Sequence, residues 1–394
     1  MIEEQKYLFS LQNRGIKMGL ERTQKLLEIC ISNKNRPKVI QILGTNGKGS
    51  TSAILNKILT NSECSVGLFT SPHLNSFRER IRVNCTLIEQ RSVKDFIHQY
   101  KDAIEKIEAS FFEVMTAMAF WYFQKKNVDY AIMETGLGGK YDSVTACNAD
   151  IFGITSISKD HQNILGNNLE DIANEKIAAI SSLSNVFYVN QNKTINTIIS
   201  DYCKQKKCIY KKIKTNLSLE LSMHGDHQKE NASLALSIAN HINPNLKNVE
   251  KTLMSIKWYG RNQIIKKQPF IIFDVAHNAD GIRSFLRFIN QINKNFKKKY
   301  LLISIQKTKN IKEISKDLNK NFDEIVYTIT DIHKSMDFAS IKKEIPKSTL
   351  IENSLHALDK VTSIASRDDL IAIIGTHFWG EAVSNKFNIS FDNL

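Results

Sequence analysis

Residues 40–50 read Ile40-Gln-Ile-Leu-Gly-Thr-Asn-Gly-Lys-Gly-Ser50, an apolar run that ends in a glycine-rich turn holding one lysine. The run suits a buried strand. From Ser50 to Ile58 the pattern turns helical, with Ala53, Ile54, Leu55 and Ile58 on one side. Strand, glycine turn and helix in this order form an anion cradle, because backbone N–H groups and the positive helix start face the same point. Gly47 and Gly49 let the chain approach closely, Lys48 adds a point charge, and Ser50 can reach a magnesium ion. The spacing is tighter than the usual GxxxxGK[ST] loop. An ordinary glycine-rich turn is the competing reading, and nucleotide phosphate binding is the expectation.

Outward from this segment, apolar strand-like runs alternate with amphipathic stretches. Candidate strands fall at Lys38–Leu43, Val66–Phe69, Tyr130–Glu134, Asp150–Ser156 and Val186–Val189, and a second series at Phe270–Phe273, Tyr300–Ser304, Glu324–Thr328, Thr349–Ile351 and Asp369–Ile374. Helices expected at Phe112–Lys125, Gln228–Asn240, Ile282–Ile292 and Leu355–Ile364 separate many of them. The alternation predicts an α/β protein with parallel sheets and helices on both faces. The polar, lysine-rich stretch 204–223 reads as short strands or a loop at a domain edge. Trp258-Tyr-Gly-Arg261 breaks the periodicity, which puts the expected domains at residues 1–260 and 261–394.

With 394 residues and 42% hydrophobic content, the chain can bury a core large enough for two domains. No apolar stretch approaches the roughly 18 residues of a membrane span, and the first ten residues lack a signal-peptide core. Cys30, Cys64, Cys85, Cys147, Cys203 and Cys208 are scattered without a CxxC pair, which points to reduced thiols and a cytoplasmic setting. The net charge of +14 raises nucleic acid as a partner. The lysines, however, lie in short clusters such as 204–207, 211–214 and 297–299, none interleaved with aromatics. A solvated lysine-rich surface is the expectation, with no nucleic-acid or membrane partner.

Other segments carry chemistry. Gly67-Leu-Phe-Thr-Ser-Pro-His-Leu74 reads as a second strand ending in a turn, which would bring Ser71 and His73 near the phosphate loop at the carboxyl ends of the strands. Arg78, Arg80 and Arg82 follow, able to hold a substrate carboxylate or to face solvent. Glu134 ends the strand that runs into Thr135-Gly-Leu-Gly-Gly139, where a carboxylate is well placed for Mg²⁺. Asp160 and His161 lie past a further strand. On the expected helix Leu169–Ile180, Lys176 falls in the apolar stripe with Leu169, Ile172, Ala173, Ile177 and Ile180. It is either a snorkelling lysine or one paired or modified at the site, because a buried ammonium is costly. Gln228 and Asn231 open a later helix as candidate base or ribose contacts. Asp274, His277 and Asn278 end a strand of the second domain, where with Arg261 they could close over a nucleotide.

GTNGKGS, TSPHL with RERIRVN, FFEVMTA, ETGLGG, SKDHQNILG with EKIAAI, HQKENA, WYGR and DVAHN occur in this order. Together they resemble the dihydrofolate synthase/folylpolyglutamate synthase family, a branch of the Mur ligases. The resemblance spans residues 10 to about 280 and continues more weakly to the end. It implies a Mur-ligase-like fold, with an N-terminal P-loop ATPase domain and a smaller C-terminal Rossmann-like domain. It also implies an acyl-phosphate reaction in which ATP activates a carboxylate of dihydropteroate or a folate and the amine of L-glutamate attacks. By resemblance, Gly47, Lys48, Gly49 and Ser50 hold the ATP phosphates, and Ser71, Glu134 and His161 are Mg²⁺ ligands, with two ions expected. Lys176 corresponds to a lysine carried as a carbamate. Asn231, Arg261 and Asp274 match nucleotide contacts joined by His277. Lys48, His161, Lys176, Asp274 and His277 form the implied catalytic set. The pterin-aryl pocket would draw on Gly15, Ile16 and Lys17, on Ser110, Phe111, Phe112 and Glu113, and on Tyr141, Asp142 and Ser143. A monomer acting on small molecules is expected.

The sequence departs from the family in three places. Tyr141-Asp-Ser-Val-Thr145 stands where the family has LDATN, Lys17 where an aspartate is expected, and Gln306-Lys-Thr-Lys-Asn310 where the family has DKD. All three fall on substrate handling, and the ATPase residues are intact. A Mur-type ligase acting on a cell-wall precursor and a nucleotide- or nucleic-acid-binding module without ligase activity are the competing readings.

Overall fold

A computed structural model describes residues 2–15, 17–32, 35–292 and 294–394. Two sheets organise them. The first contains β1 (Lys38–Leu43), β2 (Val66–Phe69), β3 (Ile81–Val83), β4 (Thr86–Leu87), β5 (Tyr130–Glu134), β6 (Ile151–Ile154), β7 (Asn185–Val189) and β8 (Ile209–Ile213), in the order β4-β3-β2-β5-β1-β6-β7-β8. The second contains β9 (Gln263–Lys267), β10 (Phe270–Phe273), β11 (Lys299–Ile303), β12 (Glu324–Ile329), β13 (Thr349–Asn353) and β14 (Leu370–Ile374), in the order β13-β12-β11-β14-β10-β9.

Most neighbours pair in parallel, as the alternation of strand and helix predicts. The exceptions lie at edges: β3 is antiparallel to β2 and to β4, and β9 is antiparallel to β10. These strands went unrecognised because each is short or weakly apolar. In β9, Gln263-Ile-Ile-Lys-Lys267, no residue is fully buried, so it lacks the continuous apolar run of an inner strand. The stretch 204–223 contributes the edge strand β8 and otherwise runs as a loop, one of the outcomes its composition allowed.

Each sheet is covered on both faces. In the first unit, Ile40 and Ile42 of β1 meet the helices Lys48–Asn61 and Asp226–Ile242 on one side. Val39 and Leu43 meet the helix Phe111–Lys125 on the other. Alternate residues of one strand therefore serve two cores, which is why its apolar run is nearly unbroken. In the second unit Ile272 and Ile271 divide in the same way between two cores. Among the described residues no helix is long and apolar enough to cross a membrane.

The first unit places its loops at the carboxyl ends of β1, β2, β5 and β6, and two tight backbone approaches hold them in register. A Cβ on Gly44, whose φ is +135°, would sit 1.9 Å from Thr155 Oγ1. A Cβ on Gly139 would sit 2.2 Å from the Lys176 carbonyl oxygen, so the ETGLGG turn rests directly on the backbone of the helix Leu169–Ile177. Gly44→Ala should lower unfolding stability by about 2 kcal/mol, from unfavourable φ and the Thr155 contact together. Adding Thr155→Ala should recover only the contact part. Urea unfolding checks this; a Gly44→Ala loss below about 0.5 kcal/mol would show that the loop relaxes freely.

Candidate active site

The turn after β1 is fastened before the helix begins. Thr45 N–H donates to the Ser156 carbonyl at 2.7 Å, and Thr45 Oγ1 donates to the Ser158 carbonyl at 3.0 Å. Gly47 caps the helix Lys48–Asn61 with φ +89°, a conformation that suits glycine, and a Cβ there would lie 2.2 Å from Asn231 Oδ1. Asn231 of the helix Asp226–Ile242 is therefore set directly against the loop. It also donates to Gln228 Oε1 at 3.0 Å. Lys48 Nζ donates to the loop carbonyls of Gly44 and Thr45 at 3.2 and 3.0 Å. Burial lowers the Lys48 ammonium, and the carboxylates of Glu134, Asp160 and Asp142 act against that shift. Ser50 is 1% exposed and its hydroxyl has no hydrogen-bond partner among the described residues. Such a group is costly unless a ligand completes it.

Glu134, at the end of β5, is buried. Its Oε2 accepts from the Ser71 N–H at 2.9 Å and lies 3.4 Å from where a Cβ on Gly49 would stand. Burial pushes the Glu134 carboxyl up, while Lys48, the Ser71 amide, Arg261 and Arg80 pull it back. The structure thus brings Ser71, Glu134 and the helix start together. The Trp258 indole also packs on Gly49, 3.3 Å from the same Cβ position, and its buried Nε1–H has no partner among the described residues.

His161 belongs to a different cluster. Its side chain is 40% exposed, its φ of +51° caps the short helix Gln162–Leu165, and the part of the ring that is covered, with Lys309, His277 and Lys176 nearby, lowers it to about 4, against the pull of Asp160. Among the described residues no three His, Cys, Asp or Glu side chains are grouped to hold a metal. The donor set nonetheless fits a hard cation that takes one or two carboxylates and completes its shell with phosphate oxygens and water. Glu134 supplies a carboxylate, and the unpartnered Ser50 hydroxyl supplies an oxygen beside it on the loop.

Lys176 is where its periodicity predicts. The helix ends at Ile177, three residues earlier than expected, because the chain turns at Ala178, yet Lys176 stays buried among Ile172, Ala173 and Ile177. Its amine makes no hydrogen bond or ion pair among the described residues. Burial and the charge of Lys48 lower it to about 7, against the pull of Asp160, Asp142 and Glu175.

The second unit reaches the same edge. Asp274 follows β10, is buried, and accepts from the Asn262 and Ala276 amides at 2.6 and 2.7 Å. Burial raises it against the pull of Arg261. The His277 ring sits 2.9 Å from the Val275 carbonyl through Nδ1 and 3.5 Å from Asp160 Oδ2 through Nε2. Asn278 pairs with Asn46 of the phosphate loop in both directions, at 3.0 and 3.2 Å.

The expected pterin residues are more dispersed. Ser110 and Glu113 form a capping box on the helix Phe111–Lys125, and Glu113 also accepts from Arg22 Nε at 2.9 Å. Phe111 carries the Arg80 guanidinium 5.3 Å above its ring, and Arg80 donates to His73 Nδ1 at 2.9 Å. Phe112 fills the space over Gly136. Lys17 donates to the Glu108 carbonyl at 3.0 Å, Gly15 is exposed with φ +69°, and Ile16 lies outside the described residues. Burial raises the Asp142 carboxyl to about 6, against the pull of the Gly136, Leu137 and Val144 amides that occupy it. It shapes the ETGLGG turn. Ser143 begins the short helical turn Ser143–Cys147, and Tyr141 is exposed under the Lys140 ammonium.

Asp160, Lys309, Asn46 and Trp258 are the site groups that motif reading left without roles. Asp160 sat beside a recognised residue at a strand end. Lys309 lies in a segment with neither glycine nor apolar signal, so only the folded chain reveals it.

A phosphate cradle with a carboxylate at its lip, a buried lysine behind it and a second α/β unit bonded to its loop defines an ATP-dependent, amide-forming ligase of the Mur type. Residues 42–218 match the Mur ligase middle domain, and residues 260–377 match the Mur ligase glutamate ligase domain. The dihydrofolate synthase/folylpolyglutamate synthase of Bacillus subtilis is 32% identical over 321 residues, covering 70% of this chain and 73% of that one. The Buchnera aphidicola (Baizongia pistaciae) protein of the same name is 32% identical over 377 residues, covering 90% and 87%. The fold matches that of Mycobacterium tuberculosis folylpolyglutamate synthase complexed with ADP and AMPPCP, with a TM-score of 0.90 and 23% identity over 99% of each chain. The chain belongs to the dihydrofolate synthase/folylpolyglutamate synthase family. That membership sets aside the cell-wall ligase and non-ligase readings.

Lys176 carries a prediction about stability. Its folded value, about 7, is below the ordinary 10.5, so the unfolded chain holds a proton that the folded chain lacks between those values. Stability should therefore rise with pH across this window, and the cost of the buried amine is fully present below about 7. In CO₂-free buffer without nucleotide, Lys176→Met should be the more stable protein at pH 7, by an amount on the order of a few kcal/mol. The gain should shrink as the pH approaches 10.5. Chemical unfolding at several pH values checks this, and a pH-independent difference would contradict it.

Proposed function

We propose that this chain joins L-glutamate to dihydropteroate, to a reduced folate, or to both, at the expense of ATP and through an acyl phosphate. The observation that carries the reading is the cradle itself. Lys48 and the partnerless Ser50 hydroxyl lie at a helix start whose lip holds the buried Glu134 carboxylate.

In the proposed reaction a carboxylate oxygen of the pterin substrate attacks the γ-phosphorus, and the bond to the ADP oxygen breaks. The loop amides between Gly44 and Ser50 and the Lys48 ammonium hold the phosphate oxygens while charge shifts between them. The glutamate amine then attacks the activated carbonyl carbon, loses a proton, and expels phosphate bearing the original carboxylate oxygen. A divalent cation such as Mg²⁺, when bound, neutralises phosphate charge. Ser50, Ser71 and Glu134 would hold one, and His161 with Lys176 a second. Lys176 suits carbamylation: its amine is buried without a partner among the described residues, and burial lowers it to about 7, so a large fraction is in the neutral form that adds CO₂. Asn231, Arg261, Asp274 and His277 are assigned to the nucleotide, by their position around Gly47 and across from it. Arg80 is assigned to a substrate carboxylate, and the pterin ring to the surface around Phe111, Phe112, Gly15 and Tyr141. We read residues 1–260 as the ATPase domain and 261–394 as the ligase domain of a cytoplasmic monomer.

The product assay is direct. With ATP, Mg²⁺ and labelled glutamate, dihydropteroate and tetrahydrofolate are each tested, and label should enter at least one as an amide. ATP turnover without incorporation into either would overturn the substrate class. Lys48→Ala should lower the rate at least about a hundredfold, or about 2.7 kcal/mol of transition-state stabilisation, with an unchanged circular dichroism spectrum. Near wild-type turnover would remove the loop from the mechanism. Lys176→Ala should lose activity and regain part of it with acetate, whereas Lys176→Arg should not be rescued. Equal acetate responses in both variants would argue against a carbamate.

A further inference from the structure

Asp160 lies one residue before His161, on the loop after β6, and its side chain is 9% exposed. Two units hold its carboxylate. Oδ1 accepts from the His161 backbone N–H at 2.8 Å and from Lys309 Nζ at 2.5 Å. Oδ2 accepts from Asn278 Nδ2 at 3.1 Å and stands 3.5 Å from His277 Nε2. Lys309, Asn278 and His277 all follow strands of the second sheet. Because Asn278 also pairs with Asn46, one run of polar contacts joins the phosphate loop to Asn278, then to Asp160, then to Lys309.

The charges in this run are sequestered. Lys309 is 7% exposed, so breaking its pair leaves one ion in a poorly solvated place. The pair exists only where the two units adjoin, so its free energy counts toward that arrangement and toward no other. A cleft of about 290 Å³, lined in part by His161, His277, Thr308 and Lys309, opens beside it, and the pair forms one wall. Among the described residues Lys309 makes no hydrogen bond or ion pair with Lys48, Ser50 or Glu134 of the first unit.

We propose that Asp160 and Lys309 are positioning residues that clamp the second unit onto the first for amine transfer, and that they are dispensable for forming the acyl phosphate. The proposal rests on the ligase reading above. It divides the reaction: phosphoryl transfer draws on the loop amides and Lys48 of the first unit and on nucleotide contacts from Arg261, Asp274 and His277 that do not depend on the Asp160–Lys309 pair, whereas amide formation needs the second unit held by that pair against the loop. Thr308 and Asn310 flank Lys309 with neutral side chains, so no carboxylate next to it in the chain competes with Asp160.

The test uses the whole protein and two readouts. Exchange of the β,γ-bridging oxygen of labelled ATP, with dihydropteroate but no glutamate, reports reversible acyl-phosphate formation. Glutamate incorporation reports the complete reaction. Lys309→Met, which keeps the side-chain length without the charge, should hold exchange within about threefold of wild type and lower incorporation about thirtyfold or more. Lys309→Arg should restore most of the loss. Asp160→Asn with Lys309→Met should lose less than the product of the two single losses, because both ends of one pair are gone. If Lys309→Met folds poorly, as its unfolding midpoint would show, the neutral double variant carries the same comparison. Exchange and incorporation falling together would overturn the clamp, as would unchanged incorporation. Wild-type protein showing neither reaction would instead overturn the ligase reading, and the division of labour with it.

Discussion

Buried charge at the carboxyl edge of the first sheet is the constraint around which this molecule is arranged. Lys48 and Lys176 meet Glu134, Asp142 and Asp160 across loops that four strands deliver to one place. Removing such groups from water is expensive, and all but Lys176 have a specific hydrogen-bond partner beside them. Asp142 accepts three amides, Glu134 one, and Lys48 turns back onto two carbonyls of its own loop. Lys176 has none of these compensations, and the helix that carries it is pressed against Gly139 with no space for a side chain there. A fold seeking only stability would place methionine at that position.

The second unit answers the same constraint from outside. Its contribution to the edge is polar throughout: Asp274 orders its own turn, His277 and Asn278 reach Asp160, and Lys309 neutralises it. Burial opposes the charged form of Asp160, yet the hydrogen bond to His277 and the charges of Lys309, His277 and His161 prevail and hold its carboxyl below the usual range. Apolar contacts also join the units, with Leu74 against the core of the second and Leu394 in the core of the first, whereas the charged contacts are satisfied only in one arrangement.

The strands that carry the chemistry were legible as sequence. β1, β2, β5 and β10 have the boundaries that their apolar runs predict, because inner strands of a doubly covered sheet are apolar on both faces. The short β3 and the edge strands β4 and β9 were not, since a short length or an exposed face removes the pattern. Within the site, residues on motifs with a backbone reason were readable: Gly47 needs its positive φ, and Lys176 broke a helical stripe. Ser110 and Glu113 show the limit. Serine followed three residues later by glutamate is a capping signature, and their side chains are spent on that cap, whatever ligand lies nearby. Lys309 shows the opposite limit, a lone lysine in a polar loop whose partner is 149 residues away.

The central claim is that the first unit activates a carboxylate by phosphorylation before the second delivers the amine. Labelling both carboxylate oxygens of dihydropteroate with ¹⁸O and analysing the released phosphate by mass spectrometry tests it most directly. One ¹⁸O per phosphate, appearing in step with amide product, is the predicted result. Phosphate free of label, formed at the same rate as the amide, would contradict the account.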